Sequence, residues 1–394
     1  MSDRRHFLKQ LALLGTAAAT ATPVSFALGQ GESPQVSIAD QAADGTFVVS
    51  YRHILRSKSP RKITIPDVGE YKVLKGDFHI HTVFSDGVSM PKERVAEAVD
   101  NGLDVIAITD HIEYRPHFGG NSIKLLDKND DHNIAYDIAK PEADKQNLIL
   151  VRGTEVTKSE WHFNALFLQD VNALAAVVDD WRQMLAVAVE QGGFNHWNHP
   201  NWVDRTPDAA PFGIKSGDPM RFFDEIEEVR LKGHLHGIEV FNGATYYPIV
   251  SQWCDERNLA RIANSDIHPS EWNQYGSQNP LRPMTLILAT DRSYDAVREA
   301  FFARRTIGFA AGMVLGQREW LEKLFAACVT VETKPGLLEL TNKSDIPCFV
   351  QAGGTIRELP VQGRLSMYRS GGVKKLTVSN WLAGMNQPLE IDLG

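Results

Sequence analysis

The sequence predicts an α/β fold, a parallel barrel or sheet built from βα units, followed by a small antiparallel β-domain of sandwich type. Three observations predict it. From Lys75 to Arg304, short apolar runs alternate with amphipathic segments, the rhythm of βα units. From Phe325 onward that rhythm gives way to short alternating runs separated by Gly, Pro and Asn, the pattern of antiparallel strands. Polar residues with ligand chemistry recur just after successive strand candidates, as they do in barrel enzymes.

Residues 1–29 read as an export signal. Asp3-Arg4-Arg5-His6-Phe7-Leu8-Lys9 opens it, the chain is uncharged from Gln10 and Ala-rich from Leu11 to Ala27, and Ala27 and Gly29 frame a cleavage point. The arginine pair followed by Phe-Leu-Lys resembles a twin-arginine signal, so the expected destination is the periplasm. The apolar stretch is short and interrupted by Thr, Ser and Pro, so no membrane span is expected in the mature chain. Residues 30–74 form a leader with Pro34, Pro60 and Pro66, in which Thr46–His53 is a candidate strand.

Residues 75–324 carry the βα rhythm. Strands are expected at Gly76–His81, Asp104–Thr109, Leu148–Val151, His162–Leu168, Phe194–Asn198, Gly237–Asn242, Ala260–Asn264 and Thr285–Ala289. Helices are expected from Pro91 to about Asn101, with Pro at the first turn and Gly102 at the end, and at Leu174–Gln191, Pro219–Lys232, Pro248–Arg257 and Ser293–Arg304. Ile112–Gln146 is polar and breaks the rhythm, as an insertion beside the active face would. Residues 325–394 form the all-β domain, with strands at Val329–Glu332, Leu337–Leu340, Cys348–Gln351, Arg364–Tyr368, Lys375–Val378 and Leu389–Asp392.

The chain has 394 residues, 43% hydrophobic and 23% charged, an ordinary composition for a globular protein. Its net charge of -8 argues against a nucleic-acid or anionic-membrane partner, and no protein partner is evident. Three cysteines, Cys254, Cys328 and Cys348, are too few for a disulfide framework. They read as small buried hydrophobes, with a Cys328–Cys348 pair as the alternative.

His79 and His81 stand two residues apart at a strand end, so both imidazoles face one side while Ile80 packs inward. Asp86 follows on a loop within reach. His111 ends the next strand, Glu155 follows the third, His162 begins the fourth and His199 follows the fifth. Asp266 and His268, again two apart, follow Ala260–Asn264. Six imidazoles and three carboxylates without sulfur suit Zn, Mn or Fe better than Mg or Ca. Nine ligands suit two or three divalent ions, and a carboxylate such as Glu155 can bridge two of them.

Asp77-Phe78-His79-Ile80-His81-Thr82, Ser85-Asp86-Gly87, Thr109-Asp110-His111, Gly153-Thr154-Glu155-Val156, Asn198-His199-Pro200 and Asn264-Ser265-Asp266-Ile267-His268 resemble, in order and type, the motifs of the PHP (polymerase and histidinol phosphatase) family over roughly residues 75–310. The resemblance implies a distorted (β/α)7 barrel with up to three metals. It implies that His79, His81, Glu155 and Asp266 hold one metal, that Glu155, His162 and His199 hold a second, and that Asp86, His111 and His268 hold a third. His196, three residues before His199, is a rival ligand. The family's usual activity is phosphoester hydrolysis. A hydroxide shared by metals attacks phosphorus in such chemistry, and Asp266 or His268 is the expected proton acceptor or relay. Arg115, Lys158, Arg205 and Arg282 are candidate cations for a small-molecule phosphate ester. Trp161, Trp197, Trp202 and Trp272 flank ligand positions and are candidate pocket walls. Two alternatives stay open: a hydrolase of amides, lactones or carboxylic esters, and a non-catalytic metal-binding module. No proposed ligand lies beyond His268, so the region from Phe325 is expected to be dispensable for ligand geometry but not for solubility or substrate choice.

Overall fold

The computed structural model describes residues 47–48, 62–115, 131–157, 161–200, 220–243, 245–276, 281–369 and 371–393. Seven strands lie side by side in sequence order: β1 (Lys72–Asp77), β2 (Val105–Ile108), β3 (Ile149–Val156), β4 (Phe163–Leu166), β5 (Phe194–Trp197), β6 (Gly237–Asn242) and β7 (Ala260–Asn264). The run curls so that its ends approach. The segments after β1 and β7 meet in one parallel bridge, Ile80–Ile267, in place of a continuous ladder. β8 (Met284–Ala289) fills the gap. It runs antiparallel to β1, and Thr285 Oγ1 accepts from Ala263 N at 3.0 Å while donating to Ala263 O at 2.9 Å.

The pairing is mixed, where the sequence led us to expect parallel strands throughout. β1–β2, β2–β3, β5–β6 and β6–β7 are parallel, but β4 runs antiparallel to both neighbours. Connection length explains the hairpin: only residues 157–162 join β3 to β4, too few for a crossover helix.

α1 (Pro91–Asp100) starts with Pro at its first turn, and Glu93 reaches back to accept from Met90 N at 2.7 Å. The polar stretch Ile112–Gln146 is not wholly an insertion, since α2 (Ile134–Lys145) is the crossover between β2 and β3. It buries only Ala135, Ala139 and Ala143, a stripe too small to stand out from its charged neighbours. The long helix expected at Leu174–Gln191 is two pieces, a single turn at Asn172–Ala175 and α3 (Trp181–Glu190). Asp180 makes the break by capping α3, its side chain accepting from the backbone N–H of Arg182 and Gln183. α4 (Asp224–Leu231) is shorter than expected, and α5 (Pro248–Arg257) and α6 (Tyr294–Phe302) follow.

β9 (Thr306–Ala310) and β10 (Met313–Leu315) extend the sheet from β8, and α7 (Arg318–Cys328) runs through the expected boundary at 324/325. The C-terminal strands are β11 (Val329–Lys334), β12 (Leu337–Asn342), β13 (Cys348–Gln351), β14 (Arg357–Leu359), β15 (Arg364–Tyr368), β16 (Lys375–Gly384) and β17 (Gln387–Asp392), and two further two-residue strands, Phe47–Val48 in the leader and Thr245–Tyr246, pair antiparallel with each other. β11, β12 and β15 form their own three-stranded sheet. β16 instead pairs in parallel with β10, Val314 opposite Trp381, so the first sheet continues into the C-terminal region. Trp381 is fully buried and stacks edge-on against Phe325 at 5.7 Å, in one apolar core with Leu321, Leu324 and Val314. The three cysteines are unpaired and buried. Among the described residues no helix is long and apolar enough to cross a membrane.

Candidate metal centre

Strand direction explains why the nine ligand-type side chains meet. β1 leads to His79 and His81, β2 to His111, β5 to His199, and β7 to Asp266 and His268, all just past strand ends. Glu155 sits near the end of β3, opposite His111 in a parallel bridge. Because β4 is antiparallel, its start lies beside the end of β3, and the hairpin returns His162 to Glu155. The backbone is left-handed at His199 (φ 24°) and Asp266 (φ 51°), each at a cost of about 1–2 kcal/mol for a residue with a Cβ. Gly87 lets the Asp86 loop lie against the His81 carbonyl, which a Cβ there would meet at 2.6 Å.

His79 Nε2 lies 3.4 Å from Glu155 Oε2 and 3.1 Å from Asp266 Oδ1, and His81 Nε2 lies 3.3 and 3.1 Å from the same two oxygens. A tetrahedral zinc-type ion with bonds of about 2.0–2.1 Å sets its ligand atoms about 3.3–3.4 Å apart, so each of these four separations is of ligand size, although the four side chains that the family resemblance implied for one metal fall into two groups, His79, His81 and Glu155, and His79, His199 and Asp266. Glu155 Oε1 turns to His162 Nδ1 at 3.2 Å and His199 Nε2 at 3.4 Å. Asp86 Oδ1 lies 3.2 Å from His268 Nε2, 3.5 Å from His111 Nε2 and 3.6 Å from His81 Nδ1. Four groups result, with ligand atoms within 4.8 Å of one another: His81, Asp86, His111 and His268; His79, His81 and Glu155; His79, His199 and Asp266; and Glu155, His162 and His199.

The chemistry of these atoms fits cations. His79 Nε2, His81 Nε2, Asp86 Oδ1, His111 Nδ1, Glu155 Oε2 and Asp266 Oδ1 are buried and none makes a hydrogen bond. Buried polar atoms are nearly always paired. Six bare ones aimed at one another are what a divalent ion would satisfy.

The charges point the same way. Burial alone would raise the pKa of Glu155, but His111 and His79 hold it well below the ordinary range. Burial acts the same way on Asp266, and His79, His81 and His268 reverse it. At His111 burial disfavours the charged form, yet Glu155 and Asp86 push its pKa up to about 10. Asp266, Glu155 and Glu239 likewise overcome burial to raise His79. His81 goes the other way, to about 3, because burial is joined by His268 and His111.

The candidate substrate cations fare differently. Arg282 is fully buried and ion-paired with Asp77, with Nη2 also donating to Ser265 Oγ at 3.1 Å. It therefore props the turn before Asp266 and does not face substrate. Arg115 lines a cleft with His111, Asp110 and His132, its Nε donating to Phe84 O at 3.1 Å. Lys158 and Arg205 lie outside the described residues, as do Trp202 and the export signal. Trp161 and Trp197 belong to the apolar core, whereas Trp272 is 64% exposed. His196 is buried 3.3 Å from Asn264 Nδ2 and belongs to none of the four groups.

Several supporting residues escaped the sequence reading. Asp110 accepts from Thr82 N and Thr82 Oγ1, both at 2.6 Å, and from Ser85 Oγ at 2.7 Å, fixing the loop that carries Asp86. Arg94, fully buried on α1, donates to the carbonyls of His81 (2.8 Å), His268 (2.8 Å) and Pro269 (2.9 Å), tying two ligand segments together. Glu239, in the middle of an otherwise apolar β6, has Oε1 2.9 Å from His79 Nδ1. A charged residue inside an apolar strand was the available signal for it.

The fold and the cluster at its strand ends define a class of α/β protein with a candidate metal centre, and comparison with known proteins narrows it. The PHP domain model matches residues 77–193. A two-domain protein from Bacteroides vulgatus, containing a predicted PHP-like metal-dependent phosphoesterase, is 32% identical over 84% of this chain and 98% of its own, with a TM-score of 0.75. A Bifidobacterium adolescentis protein assigned as a metal-dependent phosphoesterase is 17% identical over 58% of this chain and 96% of its own, TM-score 0.39. No curated protein matches. The chain belongs to the PHP-like metal-dependent phosphoesterase family.

Proposed function

We propose that this protein hydrolyses a small organic phosphate ester with two or three divalent ions (Zn, Mn or Fe) held by the nine side chains, in the periplasm after twin-arginine-type export. The observation that carries the reading is the set of six buried ligand atoms that converge without hydrogen-bonding. Divalent ions bound there supply a water of lowered pKa and neutralise charge on phosphoryl oxygens. The chain's own residues set the rest. Glu155 offers one oxygen to each of two groups and so holds them at a fixed separation. His268, with its side chain 35% exposed, is the ligand most open to solvent. Its Nδ1 donates to Asp266 O at 2.9 Å, which keeps the proton on that nitrogen and aims Nε2 into the centre. Asp266 is the proton acceptor of the proposal, and His268, whose Nδ1 already carries a proton, is the group able to relay one at the solvent side. Arg115, at the edge of the cleft beside His111, is the described cation placed to meet a phosphate.

The burial of Arg282 removes one of the four cations expected to bind phosphate, which keeps a lactone, amide or carboxylic ester substrate as the second reading. One screen separates them: phosphomonoesters, phosphodiesters, carboxylic esters, lactones and amides offered to protein loaded with Mn, Zn or Fe. Turnover of a phosphoester, lost on chelation, is the expected result. Cleavage confined to the other substrates overturns the phosphoester reading.

A further inference from the structure

Glu239 is a carboxylate inside the metal cluster that has no oxygen left for a metal. Its Oε1 faces His79 Nδ1 at 2.9 Å and accepts from Asn264 Nδ2 at 2.9 Å. Its Oε2 accepts from His199 N at 2.7 Å and from Asn242 Nδ2 at 2.8 Å. Four donors occupy the two oxygens of a fully buried side chain. Glu155 Oε2 and Asp266 Oδ1, by contrast, make no hydrogen bond. The backbone is shaped for this contact, since the register between β6 and β7 shifts between Glu239 and Phe241, a bulge of the sort that re-aims a side chain.

We propose that Glu239 is the positioning residue of the metal centre, acting on two ligands at once. A carboxylate against His79 Nδ1 keeps the proton on that nitrogen, so Nε2, which faces Glu155 and Asp266, is the lone pair that binds. The other oxygen grips the main-chain N–H of His199, whose left-handed φ of 24° needs an external hold. His79 and His199 belong together in one group of ligands with Asp266, and each also serves a second group. The remaining group, His81, Asp86, His111 and His268, makes no contact with Glu239 among the described hydrogen bonds.

The four-donor arrangement makes a sharp demand. Glutamine has nearly the same shape but offers one acceptor oxygen and one NH₂, so whichever way it turns, two donors face a donor. The inference rests on the centre holding metal, but not on the identity of the substrate.

The test is titration of the metal-free full-length protein and its variants with Co(II), following stoichiometry and the visible d–d spectrum, with far-UV circular dichroism as the fold check. Glu239→Gln is expected to bind at least one equivalent fewer, or to weaken that equivalent about 10- to 100-fold, while the group around Asp86 fills as in wild type. Glu239→Asp keeps four acceptor positions and should recover part of the lost affinity. Asn242→Ala removes a donor that Glu239 Oε2 shares with Asp266 Oδ2, 3.4 Å from it, so it should weaken the same equivalent several-fold, and Glu239→Asp, which leaves Asn242 in place, keeps the test decisive if Glu239→Gln does not fold. Wild-type stoichiometry, affinity and spectrum in Glu239→Gln would overturn the inference, as would Glu239→Asp binding no better than Glu239→Gln. Wild-type protein that takes up no Co(II) would overturn the metal-centre reading along with it.

Discussion

Glu155→Ala should be the most damaging single change in the centre, and the geometry says why. Its Oε2 lies 2.9–3.4 Å from His111, His79 and His81, and its Oε1 lies 3.2 and 3.4 Å from His162 and His199. Removing it takes one of three donors from the group with His79 and His81 and one of three from the group with His162 and His199. His268→Ala removes one of four donors from a single group and leaves His81, Asp86 and His111 in place. Loss of one electrostatic stabiliser typically costs about 100- to 1000-fold in turnover, about 2.7–4 kcal/mol. His268→Ala should fall in that range, and Glu155→Ala, which strips two groups, should fall beyond it and lose at least one metal equivalent. Glu155→Gln keeps the volume and should lose nearly as much, which separates charge from cavity. The assay is metal content by mass spectrometry beside turnover on the best phosphoester from the screen. Full metal content and near wild-type turnover in Glu155→Ala would refute the shared-carboxylate argument.

Four further outcomes are expected. Adding metal to metal-free protein at pH 7 should release protons, read with an indicator in weak buffer, because His111, raised to about 10, and His79 must deprotonate to bind. The same raised pKa means that the His111 contribution to metal-free stability is complete below its unfolded value of about 6.5 and is lost as pH rises through about 10, so thermal scans should show falling stability over that window. Arg94→Met should lower Tm and metal content together, since it strips hydrogen bonds from the carbonyls of His81, Ile267, His268 and Pro269, the buried ones at about 1–3 kcal/mol each; an unchanged melt would count against the role given to Arg94. Replacing Arg4 and Arg5 by Lys should leave the protein in the cytoplasm on fractionation, whereas unchanged export would point to the general secretory route.

The convergence of the nine side chains was legible because strand periodicity does most of the placing: His79 with His81, and Asp266 with His268, share a side by being two residues apart at a strand end. His162 was harder, because its position depends on the β3–β4 hairpin turning back, and parallel pairing was the natural reading of two successive apolar runs. Glu239, despite standing out as a charge in an apolar strand, and Arg94 could not be given roles for a different reason. Their work is done through contacts with His79, His199 and the loop carbonyls, far away in sequence, and nothing in the local pattern of β6 or α1 names those partners. Arg282 was misassigned by proximity to a ligand loop, since chain distance says nothing about which face a guanidinium takes.

The C-terminal region is tied into the same sheet as the ligand strands. No proposed ligand lies beyond His268, which suggests that the region from Phe325 is dispensable for ligand geometry but not for solubility or substrate choice. In the structure β16 carries the sheet on from β10 to β13, and Trp381 packs on Phe325. A chain ending at Lys323 should therefore be insoluble or unfolded by circular dichroism, and Trp381→Ala alone should cost about 3–5 kcal/mol in denaturant unfolding. A soluble truncated chain that keeps its metals would restore the modular view.

The measurement closest to the central claim is anomalous X-ray scattering from crystals of protein grown with Mn or Zn, recorded at the metal's absorption edge. Two or three peaks are predicted inside the cluster, one of them enclosed by His79, His81, Glu155 and Asp266. An absence of peaks among the nine side chains, or metal bound only elsewhere on the surface, would contradict the account.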